Sequence, residues 1–216
     1  MYDHEKERII EASRDIISSS LTVGSWGNIS MRAHDGNIVI TPSGKNYKKL
    51  SKEDLIVTDI NGNIISGKYK PSSERLMHYE IYKKRKDVNA IVHTHAVYSS
   101  VLSVIDEDLP VITEDVAMLL GHVRVAKYAI TGSMDLALNV ASVLNDANAA
   151  IMANHGAVAV GVDMERAYTA AQVLEKSCKI FVLSRIIGRV NVVPEEDAKQ
   201  LSKISESYLS QWKNWD

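Results

Sequence analysis

Apolar residues recur at helical spacing near the start of the chain and predict an amphipathic helix over about residues 6–20. From residue 23 to residue 66 the pattern changes to short β-type runs at 28–31, 37–41 and 55–59, separated by Gly, Asn and Asp as in hairpins. Further helices are predicted at about 71–86, 98–104, 133–144, 164–187 and 195–213, and further strands at 88–94, 149–152 and 158–160. This mixture predicts an α/β layered fold with an antiparallel or mixed sheet.

The length of 216 residues suffices for one good hydrophobic core, and no repeat or linker divides the chain, so we predict a single domain over residues 1–216. The formal net charge of −2 is not positive, so it does not attract nucleic acid or an anionic membrane surface. No apolar run is long enough to cross a bilayer, and the charged first residues do not resemble a secretory signal. The single cysteine, Cys178, excludes an internal disulfide, which favours a cytoplasmic protein.

Two histidines stand two residues apart at the end of a predicted strand, in His93-Thr94-His95. Residues at this spacing point to the same face of a strand, so both imidazoles would project together and suit one Zn²⁺ ion. His155, in the turn Asn154-His155-Gly156, is the best candidate for a third ligand. Three histidines leave one coordination position open, as in catalytic zinc sites. From the residues alone, ordinary hydrogen-bonded histidines stay open as the alternative.

Three short loops combine Gly, Ser and Asn: residues 25–28, 41–44 and 71–73. Such loops present backbone N–H groups and hydroxyls that together can hold a phosphate, although each loop taken singly is a plain turn or cap. Ser72 and Ser73 stand where we predict the N-cap of a helix, whose positive dipole end also favours an anion.

Glu74 follows the third loop directly, in the first turn of the predicted helix. A carboxylate at this position usually only complements the helix dipole, and the residues alone favour that interpretation over the alternative of a general acid or base beside a metal. His78 lies one turn further along, and we interpret it as a residue that supports the site through a hydrogen bond and not as a ligand.

Five short motifs follow one another along the chain: Gly27-Asn28-Ile29-Ser30, Ile40-Thr41-Pro42-Ser43-Gly44, Lys70-Pro71-Ser72-Ser73-Glu74, Val92-His93-Thr94-His95 and Asn154-His155-Gly156. Any one of them is weak evidence, whereas five in this order and spacing are specific. Together they resemble the class II aldolase/adducin superfamily, most closely its L-fuculose-1-phosphate aldolase branch. The resemblance runs from the first helix to Tyr208.

The resemblance implies a class II aldolase-like α/β/α sandwich, in which helices flank a central antiparallel sheet, and a homotetramer with active sites at subunit interfaces. It implies that His93, His95 and His155 bind one Zn²⁺ per subunit and that Glu74 is the catalytic glutamate. It also implies that the three polar loops bind the phosphate of a small phosphorylated sugar, through Ser25, Gly27, Asn28, Ser43, Gly44, Ser72 and Ser73.

The reaction that the resemblance implies is reversible cleavage of a ketose 1-phosphate, such as L-fuculose 1-phosphate, into dihydroxyacetone phosphate and a small aldehyde such as lactaldehyde. Zn²⁺ would stabilise the ene-diolate fragment as a Lewis acid, and Glu74 would move the proton on its C3 atom. Glu114 stands where the family has a tyrosine from the neighbouring subunit that protonates the aldehyde oxygen, and a protonated carboxylic acid can serve there. Tyr208 matches a second tyrosine of the family.

Other enzymes of the superfamily stay open as alternatives: L-ribulose-5-phosphate 4-epimerase and methylthioribulose-1-phosphate dehydratase or aldolase. The epimerase branch generally has Asp where this chain has Glu74, which favours the aldolase. A non-catalytic binding module like the adducin head belongs to a different class. Such heads lack the metal histidines, so the presence of His93, His95 and His155 argues against this class.

Overall fold

Six α-helices and eight strands lie in the part of the chain that the computed structural model describes, which is the backbone of residues 1–212 and the side chains of residues 1–205. The helices are α1 (Asp3–Ser18), α2 (Arg75–Lys84), α3 (Val97–Ile105), α4 (Met134–Leu144), α5 (Met164–Ile187) and α6 (Glu195–Trp212). The strands are β1 (Asn28–Arg32), β2 (Ile38–Ile40), β3 (Ile56–Thr58), β4 (Ile64–Ser66), β5 (Ala90–Thr94), β6 (Val125–Ala126), β7 (Ala149–Met152) and β8 (Gly156–Gly161).

The eight strands form one sheet in the order β4-β3-β2-β1-β5-β8-β7-β6. All neighbouring strands in it are antiparallel except β6 and β7, which are parallel, so the predicted mixed sheet with flanking helices is confirmed. At the centre, β5 pairs with β1 on one side and with β8 on the other. In this register His93 lies opposite both Asn28 and Val158, which brings three distant segments together.

Both faces of the sheet are covered, and the alternation of side chains along β5 shows why. Ala90 and Val92 belong to the core cluster beneath α1 and α5, whereas Ile91 belongs to the cluster beneath α2 and α4. Because side chains alternate between faces, His93 shares the face of Ile91 and therefore lies on the side of α2. None of the described helices combines the length and the apolar character that crossing a membrane requires.

Three short elements were not predicted from the sequence. All three residues of β4 are exposed, so this strand carries no alternation of buried and exposed positions. Strand β6 has only two residues, which is too short for a periodic signal. Residues Val116–Leu120 form one turn of π-helix directly after Glu114 and Asp115.

Candidate metal centre and active site

The three predicted histidine ligands lie together at one end of the sheet. His93 is the fourth residue of β5, His95 follows one residue after that strand ends, and His155 lies in the turn between β7 and β8. The ring centroids are separated by 4.7 Å for His93 and His95, 5.0 Å for His93 and His155, and 5.2 Å for His95 and His155. The prediction that the three imidazoles converge is therefore confirmed.

Two glycines allow the backbone to approach β5 this closely. A Cβ atom on Gly27 would lie 2.4 Å from the carbonyl oxygen of His93, and a Cβ atom on Gly156 would lie 2.5 Å from that of Thr94. Gly27 also has φ +81°, a conformation that other residues adopt only with strain. The motifs around Asn28 and His155 consequently need glycine for a steric reason.

The start of helix α2 determines where the Glu74 side chain lies, and the helix begins later than predicted. Helix α2 starts at Arg75, so Glu74 itself occupies the N-cap position, and the prediction of Ser72 or Ser73 as the N-cap is wrong. The Glu74 side chain makes no capping hydrogen bond. Instead, its backbone N–H donates to Oγ of Ser72 at 3.2 Å, which leaves the carboxylate free to face the histidines.

Both carboxylate oxygens of Glu74 are engaged. Oε2 lies 3.2 Å from Nε2 of His93, and Oε1 lies 3.1 Å from Nε2 of His155. Each oxygen also accepts one hydrogen bond from a neutral donor: Nδ2 of Asn28 donates to Oε2 at 2.8 Å, and Oγ1 of Thr131 donates to Oε1 at 3.0 Å. Glu74 is 6% exposed, so these contacts define its surroundings.

The donor set fits a divalent metal ion. One ligand atom from each of Glu74, His93, His95 and His155 lies within 4.8 Å of all the others. Nδ1 of His93 donates to the carbonyl oxygen of Ala157 at 2.9 Å, so its Nε2 atom carries the lone pair, as in histidines that bind metals. That Nε2 atom is buried and, apart from the Glu74 oxygen 3.2 Å away, has no polar partner among the described residues. An ion bound there would satisfy it.

The charges of the cluster are strongly coupled. Burial raises the pKa of Glu74, but the positive charges of His93 and His155 outweigh burial and hold the pKa well below its ordinary value. Burial lowers the pKa of His93, and the negative charge of Glu74 overcomes this effect, so the pKa of His93 is raised. Burial and the two neighbouring imidazoles lower the pKa of His95 to about 3. A metal ion binds the neutral imidazole, so an ion at this site would replace the proton that Glu74 stabilises on His93.

The predicted phosphate loops adjoin one another beside Glu74. The Ser43 N–H donates to the Lys70 carbonyl oxygen at 3.1 Å, and the Ser72 N–H donates to the Thr41 carbonyl oxygen at 3.0 Å. Oγ1 of Thr41 in turn accepts from the Ile29 N–H at 3.1 Å. Of the predicted phosphate-binding residues, Asn28 and Ser72 are buried, Ser25 and Gly27 are half-buried, and Ser43, Gly44 and Ser73 are exposed.

Glu114 is exposed and is not one of the four residues of the metal-ligating cluster found in the described part of the chain. Its neighbour Asp115 pairs with Lys176. Tyr208 falls in helix α6, but its side chain lies outside the described residues. Cys178 lies on α5 and its side chain is buried in the core.

Three residues that the sequence analysis did not single out contribute to the site. Thr131, on the loop before α4, holds Oε1 of Glu74 from a position 57 residues away in the chain. Oγ of Ser103 accepts the backbone N–H of His155 at 2.9 Å and so fixes the turn that carries this ligand. Trp26 lies edge-on to His95, with 5.6 Å between the ring centroids, and is 64% exposed. No local pattern marks any of these contacts.

Proteins of one family resemble this chain in sequence and in fold. Residues 7–182 match the family described as Class II Aldolase and Adducin N-terminal domain. The chain is 35% identical over 208 residues to a 5-deoxy-D-ribulose 1-phosphate aldolase of Bacillus thuringiensis serovar kurstaki, which covers 96% of this chain and 98% of that protein. It is 39% identical over 172 residues to an L-fuculose phosphate aldolase of Methanococcus maripaludis, with coverage of 79% and 92%. A solved structure of an L-fuculose 1-phosphate aldolase has a TM-score of 0.93 at 32% identity and covers 95% of this chain and 98% of that one.

Proposed function

The chain belongs to the class II aldolase and adducin family, and from this premise we propose that it is a zinc-dependent aldolase. The reaction would be reversible cleavage of a ketose 1-phosphate, such as L-fuculose 1-phosphate, into dihydroxyacetone phosphate and a small aldehyde such as lactaldehyde. The observation that carries this proposal is the position of the Glu74 carboxylate, 3.2 Å from His93 and 3.1 Å from His155. Such an arrangement places a general base beside three metal ligands.

His93, His95 and His155 would hold the metal ion through their ring nitrogens. Imidazole ligands suit Zn²⁺, and three of them leave room for substrate in the coordination sphere. When bound, the metal ion supplies a Lewis acid for the substrate oxygens. The hydrogen bond from His93 to Ala157 supports this role because it keeps the Nε2 lone pair available.

Glu74 would transfer the proton at C3 of dihydroxyacetone phosphate. In the synthetic direction the ionised carboxylate removes this proton, the C3 electron pair forms the bond to the aldehyde carbon, and the aldehyde oxygen takes up a proton. Cleavage is the reverse sequence. Positive charge beside Glu74 favours its ionised form, which supports its role as the base: facing protonated imidazoles lower its pKa against the effect of burial, and a bound cation would take the place of their charge.

The remaining roles are proposed from the predicted motifs. The substrate phosphate would be bound by Ser25, Gly27, Asn28, Ser43, Gly44, Ser72 and Ser73, whose loops adjoin Glu74. Glu114 would exchange the proton of the aldehyde oxygen, and Tyr208 would line the same end of the substrate. Glu114 would act across a subunit boundary, and we propose that the assembly is a homotetramer. The exposed Trp26 beside His95 supports an active site that opens towards such a boundary. A single domain and a cytoplasmic location stay predictions.

A second substrate is favoured by the similarity to the Bacillus protein, which extends over 96% of this chain. We therefore propose 5-deoxyribulose 1-phosphate as the runner-up, with acetaldehyde as the released aldehyde. Both candidate substrates share the dihydroxyacetone phosphate half and end in a methyl group. They differ only in the part of the molecule that Glu114 and Tyr208 would contact.

The test is release of dihydroxyacetone phosphate, coupled to glycerol-3-phosphate dehydrogenase, from each of the two substrates with and without a chelator. We expect release that the chelator abolishes and added Zn²⁺ restores, and no release by Glu74→Gln. The ratio of the two rates identifies the preferred aldehyde. If the zinc-loaded protein releases nothing from either substrate, the aldolase proposal is wrong, and pentulose 5-phosphates and methylthioribulose 1-phosphate become the substrates to test.

A further inference from the structure

A continuous line of buried hydrogen bonds connects the Glu74 carboxylate with the core beneath the site. Nδ2 of Asn28 donates to Glu74, and Oδ1 of the same amide is hydrogen-bonded to Nε2 of His78. Nδ1 of His78 lies 2.6 Å from Oγ of Ser30, which lies 2.9 Å from the hydroxyl of Tyr82. All five side chains are buried, so water does not compete for these bonds.

The spacing of residues along β1 and α2 explains how this line of hydrogen bonds forms. Asn28 and Ser30 are two residues apart on β1 and therefore share one face of the sheet. His78 and Tyr82 are four residues apart on α2 and therefore share one face of the helix. Packing α2 onto β1 aligns the two pairs beneath Glu74, which immediately precedes the helix.

The negative charge of Glu74 determines the direction of every bond in the line. A carboxylate only accepts, so the amide of Asn28 must turn its NH₂ group towards Glu74 and its oxygen towards His78. His78 must then carry its proton on Nε2, which leaves Nδ1 to accept from the Ser30 hydroxyl. Ser30 in turn accepts from Tyr82. Each donor meets one acceptor, and the reversed amide would set two donors against each other at His78.

We propose that His78 is a positioning residue that locks the Asn28 amide in the orientation in which it holds Glu74 for proton transfer. This inference rests on the proposed function of Glu74 as the base. If the amide turned by half a rotation, its oxygen would face Oε2 of the carboxylate and repel it. Of the two neutral donors, Thr131 alone would then hold the carboxylate, through Oε1, and the group could turn further towards the histidines.

Two variants of nearly equal volume separate the hydrogen bond from packing. In His78→Gln, the side-chain amide can still donate to Oδ1 of Asn28, whereas His78→Met fills similar space without a donor. We expect kcat to fall about 10–100-fold in His78→Met, as for the loss of partners that orient active-site ligands, and less than about threefold in His78→Gln. KM and bound zinc should stay near the wild-type values in both. Equal kcat values in the two variants would overturn the proposal.

A spectroscopic measurement tests the hydrogen bond between His78 and Asn28 without any substrate. In metal-free, ¹⁵N-labelled wild-type protein, we expect two-bond ¹H–¹⁵N spectra to show His78 as the neutral tautomer with its proton on Nε2. The side-chain amide signals of Asn28 should shift in His78→Met and stay close to wild type in His78→Gln. A proton on Nδ1 of His78, or an unshifted Asn28 amide in His78→Met, would overturn the positioning role. Absence of turnover in the wild-type enzyme would refute only the aldolase proposal.

Discussion

Oε1 of Glu74 lies 3.1 Å from Nε2 of His155, a residue 81 positions later in the chain, in the turn between β7 and β8. A carboxylate at this distance from one of three converging imidazoles can fill two roles, as a metal ligand or as a base beside the metal. The hydrogen bonds from Asn28 and Thr131 fix the orientation of the carboxylate and leave one lone pair on each oxygen for either role. The two roles lead to different outcomes when Glu74 is replaced.

The first prediction concerns Glu74→Gln. The substitution keeps the size of the side chain and removes its charge, so we expect kcat to fall by about 10²–10⁴-fold, the usual contribution of a general base. Bound zinc should stay at the wild-type level because the three histidines remain. The measurement is turnover together with metal content by atomic absorption. Wild-type turnover in the variant would exclude Glu74 as the base, and loss of zinc would identify it as a ligand.

The second prediction concerns His155→Ala. Loss of a residue that merely orients a ligand already costs about 10–100-fold in metal affinity, so we expect loss of the ligand itself to cost more than about 100-fold. Competition with a chromophoric chelator measures the affinity. His122→Ala is the matched control, since His122 is exposed and lies outside the cluster. Unchanged zinc affinity in His155→Ala would mean that the third ligand is another residue.

The third prediction compares two glycines of the same loop. Gly24 and Gly27 both have positive φ angles, +65° and +81°, but a Cβ atom meets nothing within 4 Å at Gly24 and would lie 2.4 Å from the His93 carbonyl oxygen at Gly27. We expect Gly24→Ala to lower the free energy of unfolding by about 1–2 kcal/mol through backbone strain alone. Gly27→Ala should cost clearly more and should also weaken zinc binding, because the proposed ligands His93 and His95 lie at the end of β5 and directly after it. Urea unfolding of both variants checks this, and equal losses would contradict it.

These results show which parts of the site local sequence patterns can predict. The spacing of His93 and His95 predicts a shared direction because a strand has a period of two residues, and the structure confirms it. The late start of α2 could not be predicted, since Ser72 and Ser73 are better N-cap residues than Glu74. Contact between Thr131 and Glu74 depends on packing of the loop before α4, which no local pattern records. Periodicity alone predicts helices and strands but no function. The family was indicated by the order and spacing of the five motifs.

The fourth prediction is a dependence of stability on pH that originates at His78. Burial and the positive charge of His93 together lower the pKa of His78 to about 3, against the opposing effect of Glu74. In the unfolded chain the pKa is about 6.5. Between these two values the unfolded state binds a proton at this residue and the folded state does not. The free energy of unfolding therefore rises with pH across this window and decreases as the pH falls, by at most about 1.4 kcal/mol per pH unit.

Replacing His78 with Gln removes this titration and keeps a hydrogen-bond donor towards Asn28. We therefore expect the plot of unfolding free energy against pH to be flatter for His78→Gln than for the wild type between about pH 4 and pH 6.5, and the two plots to run parallel above about pH 7. Urea unfolding of the metal-free proteins supplies both plots. His34→Gln, at an exposed position, should follow the wild-type slope. Since Glu74, His93 and His95 are present in both proteins, the difference between the plots reports the titration of His78 together with its coupling to them. Equal slopes throughout would show that folding does not shift the pKa of His78.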